Sequence, residues 1–371
     1  MDDEPRAPRG RLRLEDVARL LGVSRTTVSN AFSRPDQLSG ELRARVLDAA
    51  RKAGYAGPDP VARMLRTGRA GAIGLVLPEP LPFALDDPTT SALVRGIADA
   101  CEERRLGLLI VPAALRAADP RSITEVAVDG FIAYSLPRDA AVLELLLARG
   151  ARLVVVDEPR LPGVATISVD DRGGATEAAG HLAGLGHRRF AILSLPFVAD
   201  GYTGLASPAR IASGVYDVTA QRLQGYLAGM ADAGVETGDV PVFECAHSDE
   251  ELGRQAARAF LESATPPTAV LAMSDRLALG VIAAARELRV PVPGRLSVVG
   301  FDDIDGAAHS RPSLTTVRQP LRLKGYAAAR LLLDSPPVRP QARTDATAGP
   351  ASDALDLPVE LTVRRSTGPA A

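Results

Sequence analysis

From residue 71 onward, short continuous apolar runs alternate with longer helix-like stretches, and this alternation constrains the fold more than any other feature of the chain. The runs include Ala72–Leu77, Leu108–Val111, Gly130–Tyr134, Leu153–Val156, Phe190–Leu193, Ala269–Met273 and Leu296–Gly300. Between them lie Thr89–Arg105, Gly173–Leu185, Ala220–Ala233, Asp249–Leu261 and Arg276–Leu288. A strand that does not alternate apolar with polar residues must be buried on both faces, so parallel sheets covered by helices are expected. This many units exceed one comfortable sheet, which predicts two α/β lobes with a cleft between them.

The first 70 residues differ in charge. They carry 14 basic and 9 acidic groups, a net of +5, while the remaining 29 basic and 36 acidic groups leave −7. A basic head on an acidic body points to a polyanionic partner for the head. Elsewhere the composition is that of an ordinary globular chain, at 46% hydrophobic and 24% charged, and 371 residues predict two or three domains. No run of 18 apolar residues predicts a membrane span, and the acidic opening Met1-Asp2-Asp3-Glu4-Pro5 has no apolar core of a secretory signal. Cys101 and Cys245 have no metal or disulfide spacing. A cytoplasmic protein without membrane contact, cofactor or structural metal is expected.

In the head, Val17, Leu20 and Leu21 recur at helical spacing until Gly22 breaks the pattern, because glycine accepts the left-handed conformation that ends a helix. Ser24 is a helix-capping residue for a second helix through Phe32, and a third runs from Ser39 to Ala53 with Leu42, Val46 and Ala50 on one face. Two short helices across a glycine turn form a helix-turn-helix. On the second helix Val28, Ala31 and Phe32 face one side. Thr26 and Asn30 face the other, flanked by Arg25 and Ser29, as entry into a DNA major groove requires. Asn30 can bond adenine bidentately, Thr26 can meet a thymine methyl, and Arg25 can reach guanine or phosphate.

Asp59-Pro60 then opens a segment ended by Gly68, with Val61, Met64 and Leu65 as an apolar stripe. Helices this short are marginal alone. The segment is therefore expected to coil only on DNA and against a second copy of itself, with Leu65 as a minor-groove wedge between Arg63 and Arg66 on phosphates. In the body, Tyr134, Asp157, Asp170, Ser274-Asp275 and Phe301-Asp302-Asp303 stand at strand ends, where such folds bind ligands. Carboxylates and aromatics there suit the hydroxyls of a small molecule.

Leu14-Glu15-Asp16-Val17-Ala18, Gly22-Val23-Ser24-Arg25-Thr26-Thr27-Val28-Ser29 and Val61-Ala62-Arg63-Met64-Leu65-Arg66-Thr67-Gly68 resemble the head and hinge of LacI/GalR-family transcriptional regulators. Arg222-Leu223-Gln224-Gly225-Tyr226, Ser274-Asp275-Arg276-Leu277-Ala278-Leu279-Gly280 and Val299-Gly300-Phe301-Asp302-Asp303-Ile304 are similar to the family's effector-domain motifs. The resemblance implies a small all-α helix-turn-helix domain followed by a two-lobed, periplasmic-binding-protein-like α/β domain with parallel sheets. Its implied division is a tail at 1–10, a DNA-binding domain at 11–57, a hinge at 58–70 and an effector and dimerisation domain at 71–367. It adds Ser24, Thr27 and Ala62 to the DNA-binding residues. It assigns effector contacts to Arg222 and Asp302, joined by Asp157, Tyr134 and Ser274, with Phe301, Phe197 or Tyr134 as the stacking aromatic in a chain that lacks Trp.

The resemblance also implies a homodimer on a pseudo-palindromic double-stranded operator, a small-molecule effector such as a sugar or similar metabolite, and repression. Many relatives carry Arg where Asn30 stands, so the half-site bases are open. Insertions at 78–88 and 197–216 are expected to border the cleft, and a third at 335–352 to be a flexible loop. No leucine heptad follows the last strand, read at Leu357–Val363, so a dimer and not a tetramer is expected. A solute-binding module would share the body but has no use for residues 11–69. An enzyme is disfavoured, because no phosphate loop, nucleophile elbow or metal-ligand cluster is present.

Overall fold

Helix α1 (Leu14–Leu21) stops at Gly22, whose φ of 64° is open to glycine at no steric cost. Ser24 then caps α2 (Arg25–Ser33), and Ser39 caps α3 (Gly40–Lys52). Val17, Ala18, Val28, Ala31, Val46, Ala50 and Tyr55 close one small core, where Phe32 meets the Tyr55 ring edge-on at 5.7 Å. In this computed structural model residues 13–57, 59–113, 123, 125–334 and 354–370 are described, Pro35, Pro60, Val61 and Arg63 by backbone alone. The tail at 1–10 and the insertion at 335–352 lie outside the described residues. Contacts divide the chain into Met1–Ala70 and Gly71–Ala371.

The hinge, expected to coil only on DNA, is the helix α4 (Pro60–Thr67), just over two turns long. Its last turn closes where the Gly68 N–H donates to the Met64 carbonyl at 2.8 Å, with Gly68 at φ 65°. Leu65 is 78% exposed.

The second unit holds two sheets. The first runs β12-β5-β4-β3-β1-β2 and is wholly parallel: β1 (Ala72–Leu77), β2 (Gly107–Pro112), β3 (Gly130–Tyr134), β4 (Arg152–Val156), β5 (Ala165–Val169) and β12 (Ala354–Leu357). The second runs β13-β11-β10-β9-β6-β8-β7: β6 (Phe190–Ser194), β7 (Gly204–Leu205), β8 (Val242–Glu244), β9 (Ala269–Ala272), β10 (Ser297–Asp302), β11 (Thr315–Arg318) and β13 (Glu360–Thr362). Only its edge strands β7 and β13 are antiparallel to their neighbours. Each sheet has a buried apolar cluster on either face. That is why its strands read as unbroken apolar runs.

Among the described residues the chain crosses between lobes three times, at 169–171, 318–321 and 357–360. The third crossing corrects the expectation of one last strand over Leu357–Val363. Leu357 ends β12 in the first sheet, Pro358 and Val359 carry the chain over, and Glu360 starts β13 in the second. The covering helices that matter for the site are α5 (Leu81–Asp86), α6 (Pro88–Arg104), α7 (Ala141–Arg149), α8 (Asp171–Gly184), α9 (Pro208–Ala212), α10 (Asp217–Asp232), α11 (Glu250–Leu261), α12 (Asp275–Glu287), α13 (Asp305–His309) and α14 (Leu321–Asp334). Helix α14 lies so close on α6 that a Cβ at Gly325 would stand 2.1 Å from the Leu93 carbonyl oxygen, and one at Gly96 would stand 1.9 Å from that of Arg322. This close packing sets the depth of Lys324, on the same turn.

The two inner insertions are folded. Residues 78–88 contain α5 and the cap of α6. Residues 197–216 add β7 to the second sheet and the turn of α9, anchored by Arg210. Its guanidinium bonds Asp200 at 2.7 and 2.9 Å and Glu244 at 2.5 and 2.9 Å, and lies over the Tyr202 ring.

Candidate functional site

The carboxyl ends of both sheets meet at a cavity of about 930 Å³. Parallel strands end here with their unpaired backbone groups and connecting loops facing one crevice, which is where α/β folds take ligands. Tyr134 at the end of β3, Asp157 after β4, Ser274 after β9 and Asp302 at the end of β10 all line it, as does Arg222 from α10. Both inner insertions border it, through Glu79, Phe83 and Asp87 on one side and Val198, Ala199 and Tyr216 on the other. Ser135, Asp157, Asp302 and Asp303 adopt positive φ at 49°, 67°, 120° and 57°. Backbone strain of this kind is held where surrounding contacts over-determine it, and it concentrates at functional sites.

Phe301 does not line the cavity, contrary to expectation. Successive residues of a strand point to opposite faces. With Asp302 directed into the cleft, Phe301 is turned into the core, fully buried, and the Arg222 guanidinium lies on its ring at 3.7 Å. Phe197 is core as well. The aromatics that do reach the cavity are Tyr134, Phe83 and Tyr216.

A buried ionic chain joins the two lobes beneath this cavity. The Lys324 ammonium, 1% exposed, donates to Asp157 at 2.7 Å and to the Gln319 side-chain oxygen at 2.5 Å. The Gln319 amide donates to Asp302 at 2.6 Å. Asp302 faces Arg222 at 3.8 Å, and Arg222 donates to Asp171 at 2.7 Å and to the Met273 carbonyl at 2.5 Å. Asp157 belongs to the first lobe, Gln319 and Asp171 to the crossings, and Asp302 and Arg222 to the second. Burial works against the Arg222 charge, but Asp171 and Asp302 outweigh it and hold the guanidinium protonated. Burial raises Asp302 above the usual carboxylate range, opposed by Arg222 and by the Gln319 bond.

In the head, the polar side of α2 carries Arg25 and Thr26 exposed and Ser29 and Asn30 half-buried, opposite buried Val28 and Ala31. Ser24 accepts the Thr27 N–H at 3.0 Å, and the two hydroxyls lie 2.8 Å apart, so both are engaged in capping. The Asn30 amide donates to Gln37 at 3.0 Å, and Arg25 pairs with Glu15 at 3.1 Å. Ala62 and Leu65 are exposed on α4.

Residues 13–57 match the family described as bacterial regulatory proteins, lacI family, and residues 179–367 match the periplasmic binding protein-like domain. The HTH-type transcriptional regulator Rv3575c of Mycobacterium tuberculosis is 42% identical over 89% of this chain and 92% of its own length. This chain belongs to the LacI family. The HTH-type transcriptional repressor CytR of Escherichia coli is 30% identical over 86% of this chain and 89% of its own. The structure of a CelR–cellobiose complex superimposes with a TM-score of 0.65 at 29% identity, over 96% of this chain and 100% of that one. Family members are transcriptional regulators, and no helix among the described residues is long and apolar enough to cross a membrane.

Sequence reasoning missed several cavity and lobe-bridging residues. Lys324 had a legible signal: it stands at helical spacing with Leu321 and Ala328, so a charge sits within an apolar stripe. Asp87 was legible as the cap before Pro88 but not as a cavity residue. Glu158, 2% exposed, had no signal. One of its carboxyl oxygens accepts the Val218 N–H of α10 at 2.9 Å across the lobes, and the other accepts the Ser135 hydroxyl at 3.3 Å. His187 is structural, its ring nitrogens bonded to Thr268 at 2.9 Å and Ser297 at 3.0 Å.

Burial pushes Glu158 up to about 8 against the Val218 bond, with Asp157 adding to the rise. Burial and then Asp87 push Glu79 up to about 7 against Arg276. Between the ordinary glutamate value of 4.5 and these values, the folded protein holds protons that the unfolded chain has released. Stability therefore falls as pH rises through that window, by an amount on the order of a few kcal/mol. The melting temperature is expected to drop from pH 5.5 to 8.5, and less steeply in Glu158→Gln. A profile that is flat or rising over this range would contradict the buried-acid assignment.

Proposed function

We propose that this regulator is a repressor whose operator affinity is set by an uncharged, polyhydroxylated effector in the interlobe cavity. The observation that carries the ligand class is electrostatic. Glu79, Asp87, Asp157, Glu158 and Asp302 line the cavity, while the lining guanidinium, Arg222, is committed to Asp171 and Asp302. A phosphate or carboxylate would enter against Asp87 and Asp157, beside acids that burial keeps partly protonated, with no uncommitted arginine or lysine among the described lining residues. Hydroxyls suit the same surface, because each can donate to a carboxylate and accept from a donor. The cellobiose-bound CelR neighbour supports a saccharide, and CytR, named a repressor, supports the sign of regulation.

At the DNA end, Arg25, Thr26, Ser29 and Asn30 read the major groove, and Ser24 and Thr27 set the start of the reading helix. Two chains grip a pseudo-palindromic site, and paired hinge helices place Leu65 in the minor groove, with Ala62 and Arg63 beside it. Effector shifts operator affinity by its differential affinity for two lobe arrangements. A solute-binding module without regulatory role is disfavoured by the lacI-type head at residues 13–57.

The test selects bound sequences from random DNA with the full chain. Operator affinity is then titrated with neutral sugars, polyols and their phosphate esters. An enriched inverted repeat whose binding responds to a neutral compound is expected. Failure to enrich any sequence, or a response confined to phosphate esters, defeats the proposal.

A further inference from the structure

Two charged atoms face each other across the cleft as an ion pair without a hydrogen bond. Asp87 sits at the start of α6 in the first lobe and Arg276 in the first turn of α12 in the second. One Asp87 carboxyl oxygen, Oδ2, is committed to the helix cap, accepting from the Thr90 N–H and the Thr90 hydroxyl, each at 2.9 Å, and from the Thr89 hydroxyl. The other, Oδ1, is buried with no hydrogen-bond partner, although the residue lines the cavity and is only 6% exposed. Arg276 has a matching orphan. Its Nη2 reaches Asp249 at 3.4 Å, while its Nη1 has no hydrogen-bond partner and lies 3.8 Å from Asp87 Oδ1. Phe83, which lines the cavity, carries the Arg276 guanidinium over its ring at 5.6 Å and meets the His247 ring edge-on at 5.2 Å.

A buried donor and a buried acceptor left unmade cost free energy, so native structures satisfy them. The distance shows what can do so. A single oxygen about 2.8 Å from each atom would bridge a pair 3.8 Å apart, once the two atoms, here closed to solvent, draw apart enough to admit it. That oxygen must accept from the guanidinium and donate to the carboxylate. A ligand hydroxyl or a water molecule does both, an ammonium only donates, and a carboxylate or phosphate only accepts and would be repelled by Asp87.

We infer that Asp87 and Arg276 form an outer subsite of the cavity that takes one hydroxyl of a neutral saccharide or polyol, separate from the inner group around Asp302 and Arg222. The inference rests on the neutral-effector reading above and deepens it. Because the two residues belong to opposite lobes, filling this subsite bonds the lobes to each other through the ligand. Both atoms are closed to solvent in this arrangement, so the subsite takes a hydroxyl only with the two residues further apart. The cavity, at about 930 Å³, stands near the upper end of small-molecule sites, which leaves room for a ligand that spans both subsites.

The test uses the full chain as wild type, D87N, R276Q and the double variant. Cellobiose, ribose and a panel of neutral hexoses, disaccharides and linear polyols are titrated calorimetrically. For any probe that the wild type binds, each single variant is expected to weaken binding by about tenfold or more, as losing a hydrogen bond to a charged group does. The double variant should be no weaker than the poorer single, because both residues hold one hydroxyl. D87N keeps a carboxamide oxygen for the helix cap, so its apo melting temperature reports whether the fold survives, and R276Q tests the subsite independently of that cap. Unchanged affinities in both singles, or losses that multiply in the double, overturn the subsite while leaving the neutral-effector reading in place. A wild type that binds nothing in the panel overturns both.

Discussion

Replacing Lys324 by methionine is expected to destabilise the two-lobed unit by about 3–5 kcal/mol, the usual cost of stripping the partner from a buried charge. Methionine fills a similar volume, so packing of α14 against α6 is kept and the loss is electrostatic. The Asp157 carboxylate, with its side chain 9% exposed, loses its 2.7 Å partner, and Gln319 loses the donor that fixes its amide toward Asp302. Asp157 also lines the cavity, where water can partly replace the ammonium, which favours the lower end of that range. For a body of this size the melting temperature should fall by roughly 6–20 °C, at about 2–4 °C per kcal/mol. Calorimetric binding of a cavity ligand should weaken in parallel, because Asp157 and Asp302 are no longer held in register. The double variant D157N/K324M removes both charges and should recover much of the stability. A K324M melting curve that matches the wild type would show that the chain from Asp157 to Asp302 carries no load between the lobes.

The second large effect is at the hinge. Leu65→Ala should weaken operator binding while leaving the stability and ligand affinity of the body unchanged. Leu65 is 78% exposed, so the mutation removes almost nothing from the free protein. In the proposed complex the side chain is buried in the minor groove, where burial of a leucine would contribute about 1.5–3 kcal/mol. Truncation to alanine forfeits about 1–2 kcal/mol of this, and a dimer loses it twice, which corresponds to roughly 30- to 1000-fold in affinity. A gel-shift titration on the selected operator measures it. Equal operator affinity for the variant and the wild type would remove Leu65 from the interface. A drop in body stability would instead mean that the residue packs within the free chain.

How far the chain could be read depended on whether the cause lay nearby in sequence. The head was fully legible: Gly22, Ser24 and Ser39 punctuate three helices, and the apolar spacing of Val17, Val28, Ala31 and Val46 identifies its core. The hinge was read as uncoiled on its own because its isolated propensity is low, yet Pro60–Thr67 is helical. Of the strand-end residues singled out, Tyr134, Asp157, Ser274 and Asp302 line the cavity, whereas Asp170, Asp275 and Asp303 do not. Phe301 was misplaced because both it and Asp302 lie at the same strand end, and only the pleat decides which of two neighbours faces the ligand. β12 and β13 were merged because their separation depends on which lobe each half pairs with. A seven-residue stretch does not record that by itself.

The sequence by itself determined the modules: a capped helix-turn-helix, a short apolar hinge, and an α/β body whose unbroken apolar strands demand two covered parallel sheets. Those are consequences of local periodicity and of residues within a few positions of each other. Tertiary structure alone decided the electrostatics of the cleft. Lys324 with Asp157, Asp87 with Arg276 and Glu158 with Val218 are separated by 167, 189 and 60 positions. The energy of a charge depends on which partner and how much water stand within a few ångströms of it, and only the folded chain sets those distances.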